Sequence, residues 1–264
     1  MALTELLGVP RALVGMVHLG ALPGAPRAGP SLAQIVATAV AETTCYAENG
    51  YHAVILENMH DRPYLAAGVG PEVVASMAVI CAEVRRQVDL PVGVQVLAAA
   101  NRQALAVALA GGAAFIRAEA FVFSHVADEG WLDGQAGELL RYRRAIGADH
   151  IKIFADIKKK HSAHAVTADV NLAETARAAE FFLADGLVVT GTATGSATDP
   201  TEVQAVCEAT SLPVMVGSGL TPDNLGCFEA ASGLIVGSWV KQQGHWANPL
   251  DPARVKALAE AFRA

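Results

Sequence analysis

The sequence predicts a single (β/α)8 TIM barrel of eight parallel strands, with residues 1–264 forming one domain. Three observations predict it. The length of 264 residues is close to the ~250 typical of such barrels. Eight short apolar runs alternate with longer amphipathic stretches. The runs are also introduced in two alternating ways, as though one module of two βα units were repeated four times.

The apolar runs are Ala12–His18, Ala53–Asn58, Val92–Val96, Phe115–Glu119, Ile151–Ile157, Leu187–Gly191, Val214–Gly217 and Leu234–Gly237. They are continuous in Val, Ile and Leu rather than alternating, as strands buried on both faces of a parallel sheet require. Between them the periodicity predicts helices over Leu32–Glu48, Pro71–Gln87, Gln135–Ile146, Asn171–Ala184, Thr201–Ala209 and Pro252–Phe262. Pro71 and Pro252 suit first-turn positions, and Asp251 suits an N-cap. Three odd-numbered strands follow a proline (Pro10, Pro91, Pro213). The even-numbered strands follow a small-residue turn (Asn49-Gly50, Gly111-Gly112, Asp185-Gly186, Ser232-Gly233). A doubly wound open sheet is the rival, but the G-x-G-x-x-G fingerprint expected after its first strand is absent.

Composition narrows the function classes. The chain is 53% hydrophobic and 17% charged, outside the range of disordered chains. Its 19 basic and 26 acidic residues give a net charge of −7. With no basic stripe, nucleic acid is not the expected partner. No run of ~18 uncharged apolar residues predicts a membrane span, and the N-terminal segment lacks the basic region of a secretory signal. Cys45, Cys81, Cys207 and Cys227 form no C-x-x-C pair. They read as buried free thiols of a reducing compartment, so a cytoplasmic location is expected. Barrels of this kind are commonly dimers or larger, so a homo-oligomer is expected as well.

Function in this fold sits at the C-terminal strand ends, and here those ends are polar. They carry His18, Glu57 with Asn58, Gln95, Arg117 with Glu119, Asp156 with Lys158, Thr190 with Thr192, and Ser218. Residues two apart on a strand share a face, which pairs Arg117 with Glu119 and Asp156 with Lys158. Several charges on one rim either close the barrel as an ion-pair network or bind and transform something.

The stretch Phe154–His161, FADIKKKH, offers acid–base chemistry. Lys158 beside Asp156 could stabilise an enediolate or form a Schiff base, and His161 could shuttle a proton. Lys159 and Lys160 read as solvated loop charges. His161 and His164 have the spacing of a weak metal signal, without the four ligands of structural zinc. Glu57, Glu119 and Asp156 together could hold a divalent ion such as Mg²⁺. His18 is a catalytic candidate or else a satisfied core histidine.

The late loops carry a second pattern. TGTATGSATD follows the sixth strand, GSGLTPDN the seventh and VGSWVK the eighth. Glycines let backbone N–H groups approach an anion, and the loops after strands seven and eight hold phosphate in many such barrels. Gly217, Ser218, Gly219, Gly237, Ser238 and Thr192 are the candidates to bind a small phosphorylated ligand. Ordinary tight βα turns would also use glycine. The segment Phe121–Gln135 is too long for a simple connection and reads as an active-site lid or a subunit contact.

The stretches GMVHLGALPGAPR, VILENMHDRPY, IRAEAFVFSHVADEGWLDGQAGELLRYRRAIGA, FADIKKKHSAHAVTADV, VTGTATGSATD and VGSGLTPDN together resemble the BtpA/SgcQ family. The resemblance runs from Gly15 to about Lys241 and implies a ribulose-phosphate-binding type of TIM barrel. Members are named for photosystem I biogenesis in cyanobacteria, and others lie in sugar-utilisation operons. Many belong to organisms without photosynthesis, so the photosystem role is not the shared chemistry. The expectation is an enzyme handling a small phosphorylated sugar or nucleotide-like substrate by isomerisation, lyase chemistry or glycosidic cleavage. The alternative is a non-catalytic assembly or regulatory factor.

Overall fold

The computed structural model describes residues 2–191 and 197–264. Eight parallel strands close into a barrel: β1 (Ala12–His18), β2 (Ala53–Glu57), β3 (Val92–Gln95), β4 (Phe115–Ala118), β5 (Lys152–Ile157), β6 (Gly186–Val189), β7 (Val214–Val216) and β8 (Gly233–Val236). Each pairs with its neighbours in chain order, and β8 closes onto β1. Almost every strand residue is buried, which explains the unbroken apolar runs.

Helix α1 (Ala2–Leu7) precedes the barrel. Six helices follow the first six strands in turn: α2 (Leu32–Glu48), α3 (Pro71–Gln87), α4 (Asn101–Gly111), α5 (Ala136–Ala145), α6 (Leu172–Phe181) and α7 (Pro200–Ala209). Helix α8 (Pro252–Arg263) follows β8. After β7 the chain makes only a short 3₁₀ turn, Leu225–Phe228. The helix starts follow local chemistry. Ser31 with Gln34, and Asn171 with Glu174, form capping boxes, while Asp199 and Asp251 cap helices that open on Pro200 and Pro252.

The core has two shells. The larger lies between the sheet and the surrounding helices. The smaller fills the barrel with Val14, Met16, Ile55, Phe115, Phe154, Val188, Met215 and Ile235. Large and small residues alternate there. A Cβ on Gly93 would lie 2.2 Å from the Phe115 ring, and one on Gly186 would lie 2.4 Å from Phe154, so these glycines make room for the two aromatic rings. Those rings meet edge-on at 5.4 Å, the favourable arrangement for an aromatic pair. Leu3 of α1 joins this interior cluster, closing the end of the barrel where the strands begin.

The segment after β4 forms a hairpin, His125–Ala127 with Gly130–Leu132. Ser162–Ala163, from the loop after β5, adds a third antiparallel strand. The four cysteines are unpaired, as expected for free thiols, but only Cys81 is fully buried and Cys227 is exposed. Among the described residues, no helix is long and apolar enough to cross a membrane.

Candidate active site

The interior alternation continues upward past the apolar layer. One step above Met16, Ile55, Phe115 and Phe154 along their strands stand His18, Glu57, Arg117 and Asp156. Register places His18 beside Glu57 and Glu57 beside Gln95. These residues floor a cavity of about 370 Å³ at the C-terminal ends of the strands. One wall is Gly217–Thr221 and Gly237–Trp239. Another is Met59, Arg62 and Tyr64 with Trp246. Asp128 and Glu129 of the hairpin and Lys159, Lys160 and His161 complete the lining. The hairpin therefore contributes to the cavity wall.

His18 and Glu57 form the first paired element of the floor. His18 Nδ1 lies 3.0 Å from the Trp246 carbonyl oxygen. A carbonyl only accepts, so Nδ1 carries the hydrogen and Nε2 presents a lone pair. That lone pair faces Glu57 Oε2 at 3.5 Å. Burial, with help from Lys241, lowers the His18 pKa to about 3. Burial raises the Glu57 pKa to about 7, against the pull of Arg117 and Lys160. Near neutral pH the pair therefore holds a neutral imidazole beside a carboxyl that exchanges its proton readily.

Arg117 and Asp156 form the second element. The guanidinium is bidentate on the carboxylate, with Nε and Nη2 donating at 3.0–3.2 Å, and both side chains are buried. Burial pushes the Asp156 carboxyl up, and the Arg117 fork opposes that push. Glu119 accepts from the Ala99 N–H at 2.9 Å and pairs with Lys159 at 3.4 Å. Gln95 Oε1, buried in the cavity floor, meets no hydrogen-bond donor among the described residues.

The glycine loops lie beside this floor. Gly219 has φ +70°, so the chain turns there through the left-handed region. A Cβ on Gly217 would lie 2.8 Å from Val188 Cγ1 and 3.3 Å from Arg117 Nη2. One on Gly237 would lie 3.3 Å from His18 Nε2. Both glycines thus bring main chain close to the charged floor. The Ser218 hydroxyl accepts from the Gly191 N–H at 2.7 Å and ties the sixth loop to the seventh. Thr192 lies outside the described residues.

The cavity gathers His18, Glu57, Arg117, Glu119, Asp156, His161, Gly217, Ser218, Gly219, Gly237 and Ser238. Lys158 is not among them. Strand β5 ends at Ile157, and Lys158 has φ +45°, so the alternation that paired it with Asp156 is broken. Its ammonium donates to the Thr167 carbonyl at 3.2 Å beside a separate small pocket. Lys159 and Lys160 turn inward instead. The expectation that they are solvated is corrected by burial: Lys159 is 7% exposed, and burial lowers the Lys160 pKa. His161 and His164 separate. His164 faces the Lys159 carbonyl and the His125 ring, while His161 lines the cavity. Asn58 serves as scaffold, accepting from Leu97 N–H and donating to Asp61.

Glu57, Glu119 and Asp156 line one cavity, but each is engaged by neighbouring side chains or main chain. Among the described residues, no three His, Cys, Asp or Glu side chains are grouped to hold a metal ion. Trp246, Arg62, Tyr64 and Glu129 were not singled out in the sequence. Trp246 packs against His18, His60 and the Arg62 guanidinium, contacts between distant segments that leave no local pattern.

These features define a (β/α)8 barrel with a cavity floored by charged side chains at its strand ends. The chain belongs to the BtpA family, whose profile matches residues 9–264. It is 38% identical to the photosystem I biogenesis protein BtpA of Synechocystis over 95% of this chain and 87% of that one. It is 49% identical to the Caenorhabditis elegans protein F13E9.13, described as mitochondrial, over 96% and 93% of the two chains. The fold is similar to thiamine phosphate pyrophosphorylase from Pyrococcus furiosus, with TM-score 0.58, 17% identity and coverage of 99% and 98%. It is also similar to orotidine 5'-phosphate decarboxylase from Pyrococcus horikoshii, with TM-score 0.58, 11% identity and coverage of 95% and 99%. At such identities the likeness is one of fold alone.

Proposed function

We propose that the chain is an enzyme acting on a small phosphorylated sugar or nucleotide-like substrate by acid–base chemistry. Its reaction class is isomerisation, lyase chemistry or glycosidic cleavage. The phosphate sits against Gly217–Gly219 and Gly237–Ser238, as glycine-rich late loops favour. His18 and Glu57 move the proton, and Arg117 offsets negative charge that develops on the substrate. Gln95 Oε1, an unmet buried acceptor, takes a hydrogen bond from a substrate hydroxyl or amine. The observation that carries this reading is the His18–Glu57 pair, with its opposed pKa shifts, in one cavity with the glycine loops.

The test is a thermal-shift screen over phosphorylated sugars and nucleotides. Each hit is then incubated in D₂O and followed by proton NMR for C–H exchange or bond cleavage. A ligand that binds the native state raises the melting temperature. Failure of every phosphorylated compound to do so rejects the reading.

One observation favours a second reading, the assembly factor suggested by the name of the Synechocystis relative. Phe181, Phe182 and Leu183 form an exposed apolar run, with Phe181 82% exposed. A factor of that kind loses its effect in F181S/F182S and keeps it in Glu57→Gln. The enzyme shows the reverse.

A further inference from the structure

We propose that Lys160 is a covalent nucleophile, forming an imine with the carbonyl carbon of a phosphorylated aldose or ketose held in the cavity; this rests on the phosphorylated-substrate reading. Four lysines approach the site region, and three are committed. Lys158 donates to the Thr167 carbonyl, Lys159 pairs with Glu119, and Lys241 is bound by both oxygens of Glu42. Lys160 lines the cavity, and its ammonium has no hydrogen-bond or ion-pair partner among the described residues. Its main chain is fixed, because Lys160 N–H donates to Thr190 Oγ1 at 3.3 Å. Lys158 and His161 on either side take left-handed conformations, φ +45° and +56°. These two turns carry Lys160 off the line of β5 and over the cavity.

The surroundings suit the chemistry. Arg117, Glu57, Asp156 and Glu119 are the charged groups that face the amine, and burial favours its neutral form. The step balances without any further reactant. A water molecule relays a proton from the Lys160 ammonium to Glu57 in its carboxylate form, the form that grows as pH rises through about 7. Nζ then attacks the carbonyl carbon, forming C–N as the C=O π pair moves to oxygen. A proton passes from nitrogen to that oxygen, giving a neutral carbinolamine. Glu57 returns its proton to the hydroxyl, water leaves, and a protonated imine remains. The net change is ammonium plus carbonyl to iminium plus water.

The experiment is borohydride trapping with dihydroxyacetone phosphate and with ribose 5-phosphate, read by intact mass and peptide mapping. Their phosphate-free counterparts serve as controls. The expected result is one adduct, of the ligand's mass less one oxygen atom, on Lys160. It falls at least ten-fold in Lys160→Met and Lys160→Arg and persists in Lys158→Met. Circular dichroism establishes that each variant is folded, and Lys160→Arg keeps the charge where Lys160→Met disturbs packing. A phosphosugar-induced thermal shift without an adduct, or adducts spread over other lysines, overturns the imine and leaves the phosphorylated-substrate reading standing. Neither shift nor adduct overturns both.

Discussion

His18 Nε2 stands 3.5 Å from Glu57 Oε2, with the other ring nitrogen held by the Trp246 carbonyl at 3.0 Å. Glu57 keeps its proton to about pH 7 when folded, against an ordinary value of 4.5. Between these values the folded state binds more protons, so the stability that Glu57 contributes is full below pH 4.5 and lost by about pH 7. His18 works oppositely. Its pKa falls from 6.5 to about 3, so its contribution is full above pH 6.5 and lost as pH falls. Glu57→Gln removes only the first effect. From pH 5 to pH 8 the variant should therefore gain on the order of 3 kcal/mol relative to the unmodified chain. Urea unfolding at the two pH values measures this, and an unchanged difference would show that Glu57 does not titrate there.

The glycine loops carry a prediction of their own. Ser238 lies in the wall formed by the loop after β8. Inorganic phosphate should raise the melting temperature of the protein. In Ser238→Asp the added carboxylate repels the anion, and binding should weaken at least ten-fold. Isothermal titration with phosphate gives the affinity. Equal affinity in the variant moves the anion elsewhere.

Gly217 is required for space. Its Cβ would meet Val188 Cγ1 at 2.8 Å and Thr190 Cγ2 at 3.0 Å, and both neighbours belong to the barrel wall. Gly217→Ala should cost about 1–3 kcal/mol as an overpacked site. It should also weaken phosphate binding, because Arg117 Nη2 is only 3.3 Å from the new methyl. Denaturant midpoints and phosphate titration check the two effects, and a variant as stable as the parent refutes the packing argument.

The barrel was legible because both signals that define it are local. Continuous apolar strands and capped amphipathic helices show in windows of a few residues, and β1 and α2 fall where the sequence predicts them. The strand-end residues followed from simple alternation, which holds while a strand continues. It fails at Lys158, where β5 has ended and the backbone turns left-handed. Nothing in the run of three lysines marks that Lys159 and Lys160 face inward while Lys158 does not, since that follows from the turn the backbone makes after β5. Trp246 was hidden for a related reason: its partners His18, His60 and Arg62 come from the other end of the chain.

The wall that carries Ser238 and Trp239 is anchored by a buried ion pair. Lys241 is 1% exposed, and its ammonium donates to both oxygens of Glu42 on α2, at 2.9 and 2.7 Å. Taking two charges from water is costly, and only their mutual satisfaction offsets it. Lys241→Met should therefore destabilise by ~3–5 kcal/mol, because Glu42 is left buried without its cation. Replacing both, as Glu42→Leu with Lys241→Met, should recover most of that loss, since neither charge then needs a partner. The single and double variants compared by urea unfolding decide the matter. If the double variant is as unstable as Lys241→Met alone, the lysine acts through the packing of its stem and not through the pair.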